Sequence, residues 1–107
     1  NPSNAPSLYV NSTTFATGAA LTGNTWTHLA VSRNSGTTTL YVNGTQSGPA
    51  VVDSTNYISN ALMIGAYAAG TYNYNGYMTD VRITKGTARY TSNNTTYLNS
   101  GAPYMTK

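Results

Sequence analysis

The stretch TWTHLAVSR, from Thr25 to Arg33, places Leu29 and Val31 in alternation with His28, Ala30 and Ser32. That is the period of two expected of a strand with one wet face. TTTLYV follows, with Leu40 and Val42 on one side and Thr39 and Tyr41 on the other. Asn34-Ser35-Gly36 between them reads as a hairpin turn. Asn43-Gly44, just after, is the strongest short hairpin signal in the chain, because both residue types tolerate positive φ. Upstream, Leu8 to Val10 and Thr13 to Ala20 read as short strands broken at Asn11-Ser12, and Thr22-Gly23-Asn24 reads as a turn. Downstream, a weaker strand runs from Thr45 to Ser47 and resumes after Pro49, while Ala50 to Asn60 has no clear period. Leu62-Met63-Ile64 predicts a short apolar strand ending at Gly65, and YMTDVRIT, Tyr77 to Thr84, a second clear strand before the turn at Lys85-Gly86-Thr87. No segment has a helical period and no internal repeat is visible. Many short strands punctuated by turn residues predict an all-β, antiparallel sandwich or barrel.

Composition narrows this picture. The chain has 107 residues, enough for one domain with one modest core. Only 7% of residues are charged, against roughly 25% in ordinary soluble domains, so Thr, Asn, Ser and Gly must supply the polar surface. Disordered chains are poor in aromatic and β-branched residues. This one has 10 Tyr and abundant Thr, both suited to a pleated, half-buried surface. The expected organisation is a linker or N-terminal arm over residues 1–7, the sandwich over 8–91 and an irregular polar tail over 92–107.

Charge and missing residue types exclude several kinds of chemistry. The net charge is +3, with Arg82, Lys85 and Arg89 forming only a weak local patch, so no nucleic-acid partner is expected. No apolar run approaches a membrane span, and no membrane insertion is expected. Without Cys there is neither a disulfide framework nor a thiolate metal site. A small Cys-free domain rich in Thr, Asn and Gly suits a bacterial surface or a virion. Cleavage of a glycosidic bond ordinarily needs two flanking carboxylates. The chain has no Glu, and its two acidic residues, Asp53 and Asp80, lie in unrelated segments, so no enzymatic activity is expected.

Three motifs, in order, carry a resemblance. WTHLAVSRNSGTTTLYVNGT is similar to the central hairpin of laminin-G-like jelly rolls. LMIGA resembles that family's short Leu-x-Ile-Gly strand, and YNGYMTDVRITKGTARYT its closing strand, in a form found in bacteriophage virion proteins. The resemblance implies a concanavalin A-like jelly-roll β-sandwich. The first twenty residues have room for two strands, fewer than the family usually places there. The sandwich is therefore expected to be reduced, or completed by a neighbouring chain. Calcium often accompanies such folds. With Asp53 and Asp80 as the carboxylates available, no dedicated cage and no cofactor are expected.

The candidate site is the loop from Ala66 to Tyr77. There Tyr67, Tyr72, Tyr74 and Tyr77 are interleaved with Asn73 and Asn75, which offer flat rings and amide forks at low entropy cost. It is expected to hold a glycan or a protein partner. Trp26 opens the hairpin motif and is expected in the core, with a sugar-stacking platform as the alternative. His28 is expected to pack by its ring on a strand face rather than to ligate a metal. Asp80 and Arg82, two apart on one expected strand, share a face and are expected to form an ion pair or to hydrogen-bond a neighbouring loop as a structural element, with binding of an anionic sugar by Arg82 as the alternative. The expected function is a non-catalytic virion surface module, a capsid decoration, fibre or tail appendage. It would assemble with other virion proteins or copies of itself and bind host-surface glycans. The alternative is a secreted or cell-surface bacterial carbohydrate-binding module. The expected location is the virion surface, otherwise extracellular.

Overall fold

The computed structural model describes residues 4–10, 13–58, 62–67 and 72–93. Its regular structure is all strand: β1 (Ser7–Val10), β2 (Thr13–Thr17), β3 (Leu29–Asn34), β4 (Thr37–Val42), β5 (Thr45–Gln46) and β6 (Val51–Val52). Every pairing is antiparallel. β1 and β2 form one hairpin. β3, β4 and β5 form a second sheet, in which β6 also pairs with β4. β4 is the central strand: β3 lies along one edge, while β5 and β6 share the other at opposite ends.

Local chemistry explains the β3–β4 hairpin. Ser35 and Gly36 both take positive φ, +48° and +75°, the geometry of a two-residue turn whose twist matches its flanking strands. Asn43 and Gly44 repeat it at +50° and +74° and return the chain into β5. Asn43 does more than turn. Its backbone N–H donates to the His28 carbonyl at 2.8 Å, and its side-chain Oδ1 accepts from the His28 N–H at 2.9 Å. The ladder thereby gains a rung beyond the end of β3.

The β1–β2 hairpin packs on β4, and the core sits where they meet. Among the described residues the buried hydrophobic ones are Ala16 and Leu40 at this junction and Tyr41 on the opposite face of β4. Gly18 lies so close to Leu40 that a methyl added there would stand 3.0 Å from its Cδ2. Ala19 N–H donates to Ser47 Oγ at 2.7 Å. This bond replaces a ladder contact, and β2 ends at Thr17 rather than running on to Ala20. Gly48, at φ +80°, abuts the Thr17 carbonyl, where any side chain would collide with backbone.

Three expectations fail. Tyr77 to Thr84 is not a strand. Asp80 takes φ +53°, which breaks the extended run, and Val81 and Ile83 are exposed with no described strand beside them. A strand whose backbone groups find no ladder partner has no reason to persist. Leu62 to Ile64 is irregular for the same reason, ending at Gly65 with φ +79°. Trp26 is 69% exposed rather than in the core, because it stands outside the β3–β4 ladder, which begins at Leu29. The break at Asn11-Ser12 and the tail beyond Asn93 lie outside the described residues.

Candidate functional site

The register of the β3–β4 hairpin sorts its side chains into two faces. Ala30 opposes Tyr41, Ser32 opposes Thr39 and Asn34 opposes Thr37. Directly opposed residues point the same way, so these six form one face, and Leu29, Val31, Arg33, Thr38, Leu40 and Val42 form the other.

The polar face is covered at Ser32 and Tyr41. Tyr90 lies over it, with its ring centroid 5.7 Å from that of Tyr41 and 5.5 Å from that of His28. The Tyr90 hydroxyl and His28 Nε2 are 3.1 Å apart. Burial lowers the pKa of His28 below the usual imidazole value, so the ring favours its neutral form. Asn93 secures the same segment, its Oδ1 accepting from the Gln46 N–H at 2.7 Å. Between this cover and the hairpin lies a cleft of about 230 Å³ lined by Ser32, Thr39, Tyr41 and Tyr90, with Asn34, Thr37 and Thr91 around them.

The other face carries a carboxylate hub. Asp53 is buried, and its Oδ2 accepts from Thr38 Oγ1 at 3.1 Å and from the Tyr57 hydroxyl at 2.9 Å. Its Oδ1 accepts from the Thr55 N–H at 3.0 Å. Arg33 Nε stands 3.8 Å from Oδ2, and Arg33 also donates to the Thr55 carbonyl at 2.7 Å. Its guanidinium lies 5.5 Å from the centre of the Tyr57 ring. Burial alone would raise the pKa of Asp53, but the hydrogen bonds from Thr55, Tyr57 and Thr38 outweigh it and hold the carboxyl below its usual value. Burial and the bond to Asp53 raise the pKa of Tyr57. The hub fastens the segment after β6 to the hairpin.

The tyrosines of the expected loop are exposed. Tyr67 and Tyr72 meet edge to face, with centroids 6.0 Å apart. The loop is pinned at its base by the Tyr74 N–H donating to the Gly65 carbonyl at 2.8 Å. The Tyr74 ring lies over Gly76, where an added methyl would stand 2.9 Å from it. Tyr72, at φ +51°, turns its ring outward and is 85% exposed, and Tyr77 is likewise exposed. Asn73 and Asn75 are exposed between them. Residues 68–71 of this loop lie outside the described residues.

Asp80 and Arg82 are both exposed, and the ion pair among the described residues is Arg33–Asp53 instead. The positive φ of Asp80 removes the strand that would have set the two on one face. Sequence reasoning missed Ser32, Asp53 and Tyr90. Asp53 carried a usable signal, as one of two acidic residues in a chain where any buried carboxylate must find donors. Tyr90 carried none, since its partners are fixed only by the tertiary fold. Among the described residues no three His, Cys, Asp or Glu side chains gather as a metal site would require.

No curated protein and no solved structure matches the chain. A laminin G family model matches residues 1–93, a span that contains all six strands and both faces of the hairpin. The chain is thus a member of the concanavalin A-like lectin/glucanases superfamily, and its antiparallel sheets are a β-sandwich of that type.

Proposed function

We propose that this domain is a non-catalytic recognition module of a virion surface, which holds host-surface glycans through its Tyr67–Tyr77 loop. The observation that carries the reading is that loop: four exposed tyrosines, two of them set edge to face, on a turn pinned at Gly65. Exposed aromatic rings interleaved with amides suit the apolar faces and hydroxyl edges of sugar rings. A lectin-type family supports the same ligand class. The non-catalytic part rests on the acidic residues. Asp53 is engaged by Thr38, Thr55 and Tyr57, and Asp80 stands exposed on another segment.

Assembly with other virion proteins or copies of itself belongs to the same proposal. Its support is the closing motif Arg82 to Thr91 and the exposure of Ile58, Leu62, Ile64, Val81 and Ile83, a density of exposed apolar residues uncommon on a free monomer. Neither nucleic acid nor a bilayer is a partner in this reading; among the described residues no helix is long and apolar enough to cross a membrane. A glycan array read with the unaltered domain and with the Tyr72→Ala/Tyr74→Ala variant tests the proposal. The expected result is binding that the double substitution reduces at least tenfold. An array without hits, with host adsorption unchanged in the variant, refutes it.

A further inference from the structure

The free charge of the molecule is gathered on one segment. Arg33 and Asp53 neutralise one another on the hairpin. The net charge of +3 is then carried by Arg82, Lys85, Arg89 and Lys107 against Asp80. Lys107 lies outside the described residues. Arg82, Lys85 and Arg89 are exposed, and no carboxylate among the described residues stands within ion-pair distance of them. The shape of the chain draws them together. Gly86 takes φ +92°, and Arg89 Nε donates to Thr84 Oγ1 at 3.1 Å, so the guanidinium folds back on the stretch between Arg82 and Lys85. Just beyond, Tyr90 packs on His28 and Tyr41, and Asn93 accepts from the Gln46 N–H. The basic turn is thus tethered to the β3–β4–β5 sheet, which lowers the entropy lost when it binds.

Val81 and Ile83, both exposed, flank Arg82 and add apolar surface. Aliphatic groups beside forked cation donors suit a protein surface in which carboxylates border apolar side chains. Three cations beside an Asp are too sparse for a nucleic-acid face. They also fall short of the roughly four to eight basic residues of a lipid-headgroup cluster. A second copy does not supply the complement. Its side-chain carboxylates are Asp80 and Asp53, and Asp53 is buried and engaged by Thr38, Thr55 and Tyr57. Pairing through Asp80 alone would leave two cations of each copy facing two of the other, a like-charge contact that costs affinity.

We infer that the Arg82–Arg89 turn is a docking surface for an acidic segment of a different protein, one that carries carboxylates beside apolar side chains. The inference rests on the assembly half of the proposed function and sharpens it, since the partner at this surface is not a second copy. It does not depend on the tyrosine loop or its glycans.

The test is fluorescence anisotropy of a short labelled peptide in which glutamates alternate with leucines, titrated with the full 107-residue chain. The expected result is saturable binding that weakens about tenfold as ionic strength rises from about 0.01 to about 0.15 M and the Debye length contracts from about 30 to about 8 Å. Lys85→Gln and Arg82→Gln each weaken it about two- to fivefold, the worth of one exposed ion pair. Ile83→Ser weakens it too, and all three are surface changes that keep the melting temperature level. Tyr72→Ala/Tyr74→Ala leaves it unchanged, so a peptide that fails to bind and a glycan array without hits are separate failures. Equal binding of a peptide with glutamine in place of glutamate, Lys85→Gln without effect, or no binding at low ionic strength would each overturn the inference. So would equal or tighter binding of a single-stranded oligonucleotide or of phosphatidylserine vesicles, which would make the turn a general polyanion site. Sedimentation of the unaltered chain as a dimer that Arg82→Gln abolishes would overturn it as well, giving the surface to a second copy.

Discussion

The two faces of the β3–β4 hairpin are each covered only in part, and by different distant segments. The face bearing Leu29, Val31, Leu40 and Val42 is closed at Leu40 by the β1–β2 hairpin and at Thr38 by Asp53, yet Leu29 and Val31 are about half exposed. The face bearing Ser32, Thr39 and Tyr41 is polar, yet Ser32 and Tyr41 are buried on it. The difference teaches that alternation fixes which residues share a face, while cover is decided by which distant segment arrives. The β1–β2 hairpin reaches Leu40 and stops. Tyr90 reaches the polar face and spans His28 and Tyr41.

The sharpest way to test that contrast is to truncate along the apolar face. Leu40→Ala, at its closed end, is expected to cost about 2–5 kcal/mol. Val31→Ala, 51% exposed on the same face, is expected to cost under about 1 kcal/mol in denaturant unfolding. A Val31→Ala cost equal to that of Leu40→Ala would mean that something covers the whole face in solution. Next in size is Gly48→Ala, which forces a side chain into a left-handed backbone and against the Thr17 carbonyl. It is expected to cost about 1–3 kcal/mol and to loosen hydrogen-exchange protection of β2 before that of β3. Equal loosening of both strands would show that the hairpin does not seal the Leu40 end.

The smallest effect separates the faces by pH. The pKa of His28 is lowered in the folded chain, so the unfolded chain binds the proton more readily. Its contribution to stability is complete above about pH 6.5 and is lost as pH falls through the lower, folded pKa. Asp53 is also lowered, so its contribution is complete above about pH 3.9 and is lost only as pH falls further. The Tyr90 ring signals are therefore expected to move in mild acid, and those of Tyr57 only in stronger acid. A single transition common to both would show that the faces are not independently held.

Much of the hairpin was legible because its determinants are local. Leu29, Val31, Leu40 and Val42 gave the period, and Ser35-Gly36 and Asn43-Gly44 gave the turns. The same reasoning misjudged Tyr77 to Thr84, whose alternation is as good, because a strand also needs an edge to join. Trp26 was misplaced for a related reason: its motif neighbours are in the ladder and it is not. Of the site, the tyrosine loop was readable from composition. The Ser32 cleft was half readable, since Ser32 and Thr39 share a face by register, but its cover is set by contacts the sequence does not announce.

The His28–Tyr90 contact also has an entropic consequence. It closes a loop of 62 residues, whereas the Asn43 rung at the other side of His28 closes one of 15. Loop closure costs grow with the logarithm of length, so taken alone the longer loop costs about 1 kcal/mol more to close. The hairpin needs only its neighbours in the chain, and the cover must be fetched from far along it. Thermal opening is therefore expected to begin at Tyr90, with the strands of the hairpin still paired.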